Sequence, residues 1–265
     1  MKENEVTEDY MDEEGCLHCG ICGKRKQMKV SLMGFEHVVS CLCECEAKAR
    51  QELDEKMQRE EAQRQLYQRK SVGLRERRFW EWKFENDNGR NQKIMIARQY
   101  VENWTDMKRK NVGLLLMGPV GTGKSFFAGC IANALLEQGE RVMMTNFSRI
   151  LNEMTSYQAD KNQIIQNLVD YPLLIIDDLG IERNSEFALE QVYNVIDSRY
   201  CIMLPLIVTT NLGLAEMKAA DLDIAHQRIY SRILEMCVPI YCGGEDRRKE
   251  EGTEKLVQVQ NLITG

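Results

Sequence analysis

A chain of 265 residues, 43% hydrophobic and 29% charged, has room for one full hydrophobic core and a small accessory module. That composition excludes a disordered or collagen-like chain, and no apolar run approaches the ~18 residues of a membrane span. The acidic opening MKENEVTEDYMDEEG is neither a signal nor a transit peptide, so a cytoplasmic protein with no membrane partner is expected; the formal charge of −6 excludes a surface uniformly basic for nucleic acid but leaves room for a local patch.

The chain begins with a cysteine cluster. Six of the ten cysteines lie between Cys16 and Cys45. Cys16/Cys19 and Cys19/Cys22 are overlapping C-x2-C pairs, and Cys41, Cys43 and Cys45 follow at alternate positions. A C-x2-C turn with a following glycine brings two thiolates onto one tetrahedral ion, and a second pair about twenty residues on completes a four-sulfur shell. The expected ligands are Cys19 and Cys22, then Cys41 and Cys43, with Cys16 and Cys45 as substitutes. Zinc fits this spacing; a ferredoxin-type iron–sulfur cluster and free structural cysteines are the alternatives. His18 and His37 read as ordinary surface or packing histidines. So short a module cannot bury enough apolar area by itself, which makes the metal structural. Residues 1–45 are therefore expected to form a zinc-binding module.

Residues 46–83 are rich in Glu, Gln, Lys, Arg and Ala, without glycine until Gly73, and read as a charged helical linker. A second reading gives its basic end (Arg69, Lys70, Arg75, Arg77, Arg78) and the aromatics Phe79, Trp80, Trp82 and Phe84 a role in nucleic-acid binding. The alternative is that these rings form the start of the next domain's core.

From Val112 to Met117 an apolar strand runs into Gly118-Pro119-Val120-Gly121-Thr122-Gly123-Lys124-Ser125, followed by Phe126 and a helical segment. This is the P-loop pattern in its strand–loop–helix setting. Glycines let backbone N–H groups converge on phosphate at a helix N-terminus, Lys124 supplies a cation to the β- and γ-phosphates, and Ser125 a hydroxyl to Mg²⁺. Arg141–Thr145 is a second strand. Leu173–Ile176 form a third, ending in Asp177, a magnesium ligand through water, and Asp178, placed to polarise the attacking water. Ser185–Arg199 has helical periodicity. Leu206–Asn211 is a further strand, whose terminal Asn211 would sense the γ-phosphate. Alternating strands and helices predict a parallel sheet flanked by helices.

GPVGTGKS, LLIIDDLG, IVTTNL and RIYSRILE together resemble the AAA+ ATPases, specifically the DnaC-like and IstB-like helicase-loader group. The resemblance covers 84–250 as the ATPase core, with 251–265 as a tail, and implies a core without a full helical lid. It implies that Arg232 is an arginine finger reaching a neighbouring subunit's γ-phosphate in an ATP-state homo-oligomer, with Arg228 in support. It matches Arg248, or its neighbour Arg247, to a sensor arginine. It further implies ATP hydrolysis with Mg²⁺, single-stranded DNA contact, and a replicative helicase as partner, docked by the N-terminal module. Asp178 stands where many AAA+ proteins have glutamate, which implies slow hydrolysis. Two other readings remain: an IstB-like transposition helper, and a non-hydrolysing ATP-dependent adaptor acting through its zinc module.

Overall fold

The computed structural model describes residues 8–87, 89, 93–156, 160–180, 185–244, 246, 259–260 and 263. The chain divides into two compact units, Met1–Gln65 and Leu66–Gly265.

In the first unit, β1 (Tyr10–Met11) pairs antiparallel with β2 (Leu17–His18), and β3 (Gln27–Leu32) with β4 (Phe35–Ser40). The β3–β4 loop is Met33-Gly34, both at positive φ (54° and 82°), the backbone that a two-residue hairpin turn favours. Helix α1 (Glu44–Gly73) follows, and from Ala47 to Gln65 all its residues are exposed. Its charged, apolar-poor composition accounts for that exposure.

The second unit begins with the last turns of α1, in which Lys70 is buried against Glu137 and Arg69 Nε donates to the Leu136 carbonyl. Helix α2 (Arg77–Trp80), a 3-10 turn at Phe84–Asn86, α3 (Ile94–Glu102) and α4 (Trp104–Arg109) lead to β5 (Gly113–Met117). There follow α5 (Lys124–Glu137), β6 (Val142–Asn146), α6 (Phe147–Met154), α7 (Lys161–Val169) and β7 (Leu173–Leu179). The described order ends with α8 (Glu186–Cys201), β8 (Leu206–Thr210), α9 (Leu214–Met217), α10 (Ile224–Met236) and β9 (Cys237–Tyr241).

The five strands form one parallel sheet in the order β6-β7-β8-β5-β9. Every β5 residue is buried, as a strand covered on both faces requires. Side-chain alternation divides the core in two. Leu114, Leu116, Val142, Met144, Leu173, Ile175 and Ile207 pack on α3, α4 and α5. Leu115, Met117, Met143, Leu174, Ile176, Leu206 and Val208 pack on α6, α7, α8 and α10. The result is an α/β fold of three layers. The connection leaving β5 runs to β6 at the far edge while that leaving its neighbour β8 runs the opposite way to β9, so the two diverge and leave a ligand crevice at the carboxyl ends of these strands.

The aromatics after α1 belong to this core. Phe79 and Phe84 are buried, and Trp82 packs on Gly129 of α5. Asn133 of α5 donates to the carbonyls of Phe79 and Trp82, and Trp80 Nε1 to that of Leu74 at 2.7 Å. Arg75 pairs with Glu153, and Arg78 with Glu76. These rings are committed to packing, so the nucleic-acid reading of this stretch loses its stacking surface.

Candidate nucleotide site and thiolate cluster

Residues 118–125 join β5 to α5 at the sheet's carboxyl edge. Gly118 and Gly121 have φ of 142° and 80°, and a Cβ on either would strike backbone or side-chain oxygen: the Cys242 carbonyl at 2.1 Å and Asp246 Oδ1 at 1.8 Å. Only glycine fits at both positions. Gly123, the N-cap of α5, provides no side-chain acceptor, so the helix's first amides are not capped by it and suit an anion. The donor set fits a phosphate chain. Pro119 and Val120 are exposed at the loop tip, and Thr122 Oγ1 donates to the Pro119 carbonyl at 2.9 Å. Phe126 turns away from the loop, edge-on to Trp82 at 6.3 Å between centroids.

Lys124 is buried, and its Nζ donates to the carbonyls of Gly118 (2.8 Å) and Pro119 (2.7 Å) and to Asn211 Oδ1 (2.8 Å). Asp177 is buried at the end of β7, where Thr209 Oγ1 donates to it at 2.7 Å and Ser125 hydrogen-bonds to it. Burial holds its pKa above the ordinary carboxylate value, with the Thr209 and Ser125 bonds opposing that shift. The same Thr209 oxygen accepts the Asp178 N–H at 2.9 Å. The β7–β8 register shifts between Ile176 and Leu179, and Asp178 adopts φ of 59°. Such a bulge re-aims the strand end, leaving Asp177 inward and Asp178 half-buried. Ser125 and Asp177 thus offer hydroxyl and carboxylate oxygens to one divalent ion.

Arg232 on α10 lies against α8. Its Nη2 is 2.5 Å from Asp197 Oδ1 and donates to Tyr193 Oη at 3.1 Å, and its guanidinium stacks on the Tyr193 and Tyr200 rings. Arg228, one turn earlier, is exposed. Arg247 and Arg248 lie outside the described residues.

In the first unit, Cys19, Cys22, Cys43 and Cys45 bring their four sulfurs within 4.8 Å of one another. Zinc–sulfur bonds of ~2.3 Å in a tetrahedron place sulfurs about 3.8 Å apart, so the set fits a single ion. Backbone N–H groups favour thiolates at the turn: that of Lys24 lowers the Cys22 pKa to about 6, and those of Cys22 and Ile21 lower Cys19. The remaining two are pushed up, Cys45 by the neighbouring sulfurs and Cys43 first by burial. Four thiolates need a cation between them.

Cys41 is a correction to the expected ligand set, and Cys45 takes its place. Cys41 continues the hairpin: its N–H donates to the Lys26 carbonyl at 2.8 Å and its Sγ to the Arg25 carbonyl at 3.4 Å. Cys45, in the first turn of α1, instead meets Cys43 at 3.2 Å and Cys19 at 3.3 Å. Alternation along an extended chain did not register that α1 begins at Glu44. Cys16 is buried outside the set. His18 uses both ring nitrogens on Asp12 and Gly23, and His37 is exposed on β4.

The residues missed from sequence are Thr209, Asp197 and the tyrosines beside it, and Asp246. Tyr193, Asp197 and Tyr200 are spaced i, i+4, i+7, the one available signal that they share a helix face.

The model of IstB-like ATP binding proteins matches residues 25–255. Among curated proteins, the replicative helicase loader DnaC of Escherichia coli K12 is 27% identical over 133 residues, 49% of this chain and 53% of that protein. The replicative helicase loader DnaI of Bacillus subtilis 168 is 27% identical over 150 residues, 52% of this chain and 48% of that protein. An ATP-binding protein in an insertion sequence of Mycobacterium tuberculosis H37Rv is 30% identical over 100 residues, 37% of this chain and 40% of that protein. The matched region spans about half the length of these relatives. Crystal structures of DnaI (TM-score 0.55, 23% identity, 66% of this chain and 95% of that one) and of the DnaC helicase loader (0.54, 23%, 63% and 100%) share the fold.

Proposed function

The chain belongs to the family of IstB-like ATP-binding proteins, and on that premise we propose that it is an ATP-hydrolysing loader of a replicative DNA helicase. The observation that carries the reading is the meeting of Lys124, Ser125, Asp177 and Asn211 at the carboxyl ends of β5, β7 and β8. The helicase is supported by the two relatives described as replicative helicase loaders.

In the proposed reaction, ATP and water give ADP and phosphate. The water oxygen bonds the γ-phosphorus as its bond to the bridging oxygen breaks, and the water's proton passes to Asp178 and then to solvent. Lys124 exchanges its carbonyl partners in the loop for phosphate oxygens. Asn211, already paired with Lys124, holds the γ-phosphate or the attacking water in line. Arg232 of a neighbouring subunit supplies transition-state charge, so turnover depends on assembly. Magnesium held by Ser125 and Asp177 would neutralise charge on the β- and γ-oxygens. Arg248 is retained as the sensor arginine on family grounds alone.

Cys19, Cys22, Cys43 and Cys45 hold a structural zinc, and the module they fold docks the helicase. The ATPase core contacts single-stranded DNA. The test mixes the protein with a replicative helicase ring and circular single-stranded DNA. Expected results are a stable loader–helicase complex, ATP turnover that rises with protein concentration and DNA, and loss of ATP binding in Lys124→Ala. A second reading, a transposition helper, is favoured by the insertion-sequence relative. Association with a transposase, and none with the helicase, would reverse the order; absence of turnover under every condition would favour a non-hydrolysing adaptor.

A further inference from the structure

An arginine that acts on another subunit must be delivered at one position, yet its side chain has four rotatable bonds and much rotamer freedom to lose. Arg232 has already lost that freedom. Asp197 Oδ1 lies 2.5 Å from Nη2, Tyr193 Oη 3.1 Å from the same nitrogen, and the guanidinium carbon sits 4.8 Å from the Tyr200 ring centroid and 5.5 Å from that of Tyr193. Tyr200 is fixed in turn by donating its hydroxyl to Glu235 of α10 at 2.8 Å. The three α8 residues form one stripe facing α10: both polar contacts fall on Nη2, and the two rings lie against the guanidinium carbon. Among the described residues its other nitrogens take no hydrogen bond, and the side chain keeps 29% exposure. Arg228, on the same helix, has no ion pair among the described residues, so the stripe serves Arg232 specifically.

We propose that Asp197, Tyr193 and Tyr200 are positioning residues for Arg232, holding Nη2 and stacking on the guanidinium so that its remaining nitrogens are presented to the nucleotide of an adjoining subunit. This rests on the reading of Arg232 as a residue acting in trans.

The test uses two full-length variants with complementary defects. Asp178→Asn, the donor, keeps Arg232 but has a disabled site; Arg232→Ala, the acceptor, keeps its site but lacks the arginine. Mixing them should raise turnover above the sum of the separate rates. Adding Asp197→Asn to the donor should lower that stimulated rate about tenfold or more, the cost of sub-ångström misplacement, with the KM for ATP unchanged. Asp197→Glu should restore part of it, and Tyr200→Leu should act like Asp197→Asn. The same Asp197→Asn placed in the acceptor should leave stimulation intact, because there the site is read and not the arginine. A donor unaffected by Asp197→Asn overturns the proposal, as does an equal loss with the change in the acceptor, which would mark Asp197 as merely structural. No stimulation by the parent donor removes the role of Arg232 itself, and this inference with it.

Discussion

The ammonium of Lys124 donates to the amide oxygen of Asn211 at 2.8 Å, joining the first residue of α5 to the residue just beyond β8. The phosphate loop and the end of β8 are therefore coupled through this bond. In the proposed site, exchange of the Lys124 partners for phosphate oxygens would release Asn211 to face the γ-phosphate. Asn211→Ala should lower kcat about tenfold to a hundredfold, while ATP affinity changes less than about threefold because the loop and its lysine persist. Asn211→Asp should instead weaken ATP binding, as a carboxylate holds the ammonium and repels phosphate. Equilibrium nucleotide binding and steady-state turnover on the same preparations check both; equal losses of affinity and rate in Asn211→Ala would refute the coupling.

The buried carboxylate of Asp177 bears a cost to stability. A carboxyl whose pKa is raised on folding stabilises the protein fully below its unfolded value, ordinarily 3.8, and loses that contribution as pH rises through the folded value. At neutral pH the ionised side chain is a burden, and a neutral amide in its place would still accept the Thr209 hydroxyl. Asp177→Asn should raise the melting temperature of metal- and nucleotide-free protein by about 2–4 °C at pH 7.5, as ~1 kcal/mol does in a unit of this size. The gain should shrink as pH falls towards about 4, and Mg²⁺-dependent turnover should be lost. A lower melting temperature at pH 7.5 would contradict the argument.

The cysteine set separates cleanly by substitution. Cys45→Ser removes a sulfur that lies 3.2 Å from Cys43 and 3.3 Å from Cys19, whereas Cys41→Ser changes only a contact to the Arg25 carbonyl. Purified protein should carry one zinc per chain, Cys41→Ser should retain it, and Cys45→Ser should lose most of it. Chelation should expose the first unit to protease, since ligand binding and folding are one process in so small a module. Elemental analysis and limited proteolysis read both; zinc loss in Cys41→Ser with retention in Cys45→Ser would restore the spacing-based set.

Local patterns made the sheet and its nucleotide loop legible. An apolar run ending in a glycine loop, or in acids, specifies a buried strand and what stands at its end, and Lys124, Asp177 and Asn211 were found that way. What stayed hidden depends on register and on helix faces. Thr209 serves both acids only because the bulge at Asp178 places two β7 residues opposite one of β8. Cys45 replaces Cys41 because a helix starts between them, turning an alternating pattern into a turn of α1. Arg232 could be matched to a family position, but its cradle on α8 requires knowing that α8 and α10 pack together.

Arg199 shows the same limit in the core and yields the sharpest stability prediction. It is fully buried, and its guanidinium donates to the carbonyls of Val169, Tyr171, Pro172 and Pro205 at 2.5–3.0 Å. These carbonyls lie where α7 ends and where β7 and β8 begin, at the sheet edge opposite the nucleotide loop. One side chain thus satisfies four backbone acceptors, two of which, on Val169 and Pro205, are buried. Arg199→Met keeps the apolar stem and removes all four bonds, and the two buried carbonyls cost about 1–3 kcal/mol each if left unpaired. Even with relaxation, a loss of about 4 kcal/mol is expected, a melting temperature lower by roughly 10 °C or more, or insoluble expression. Arg199→Lys, with fewer donors and no planar fork, should fall between the two. Thermal melts of the three proteins decide the matter: Arg199→Met melting within about 3 °C of the parent would show that the carbonyls find other partners.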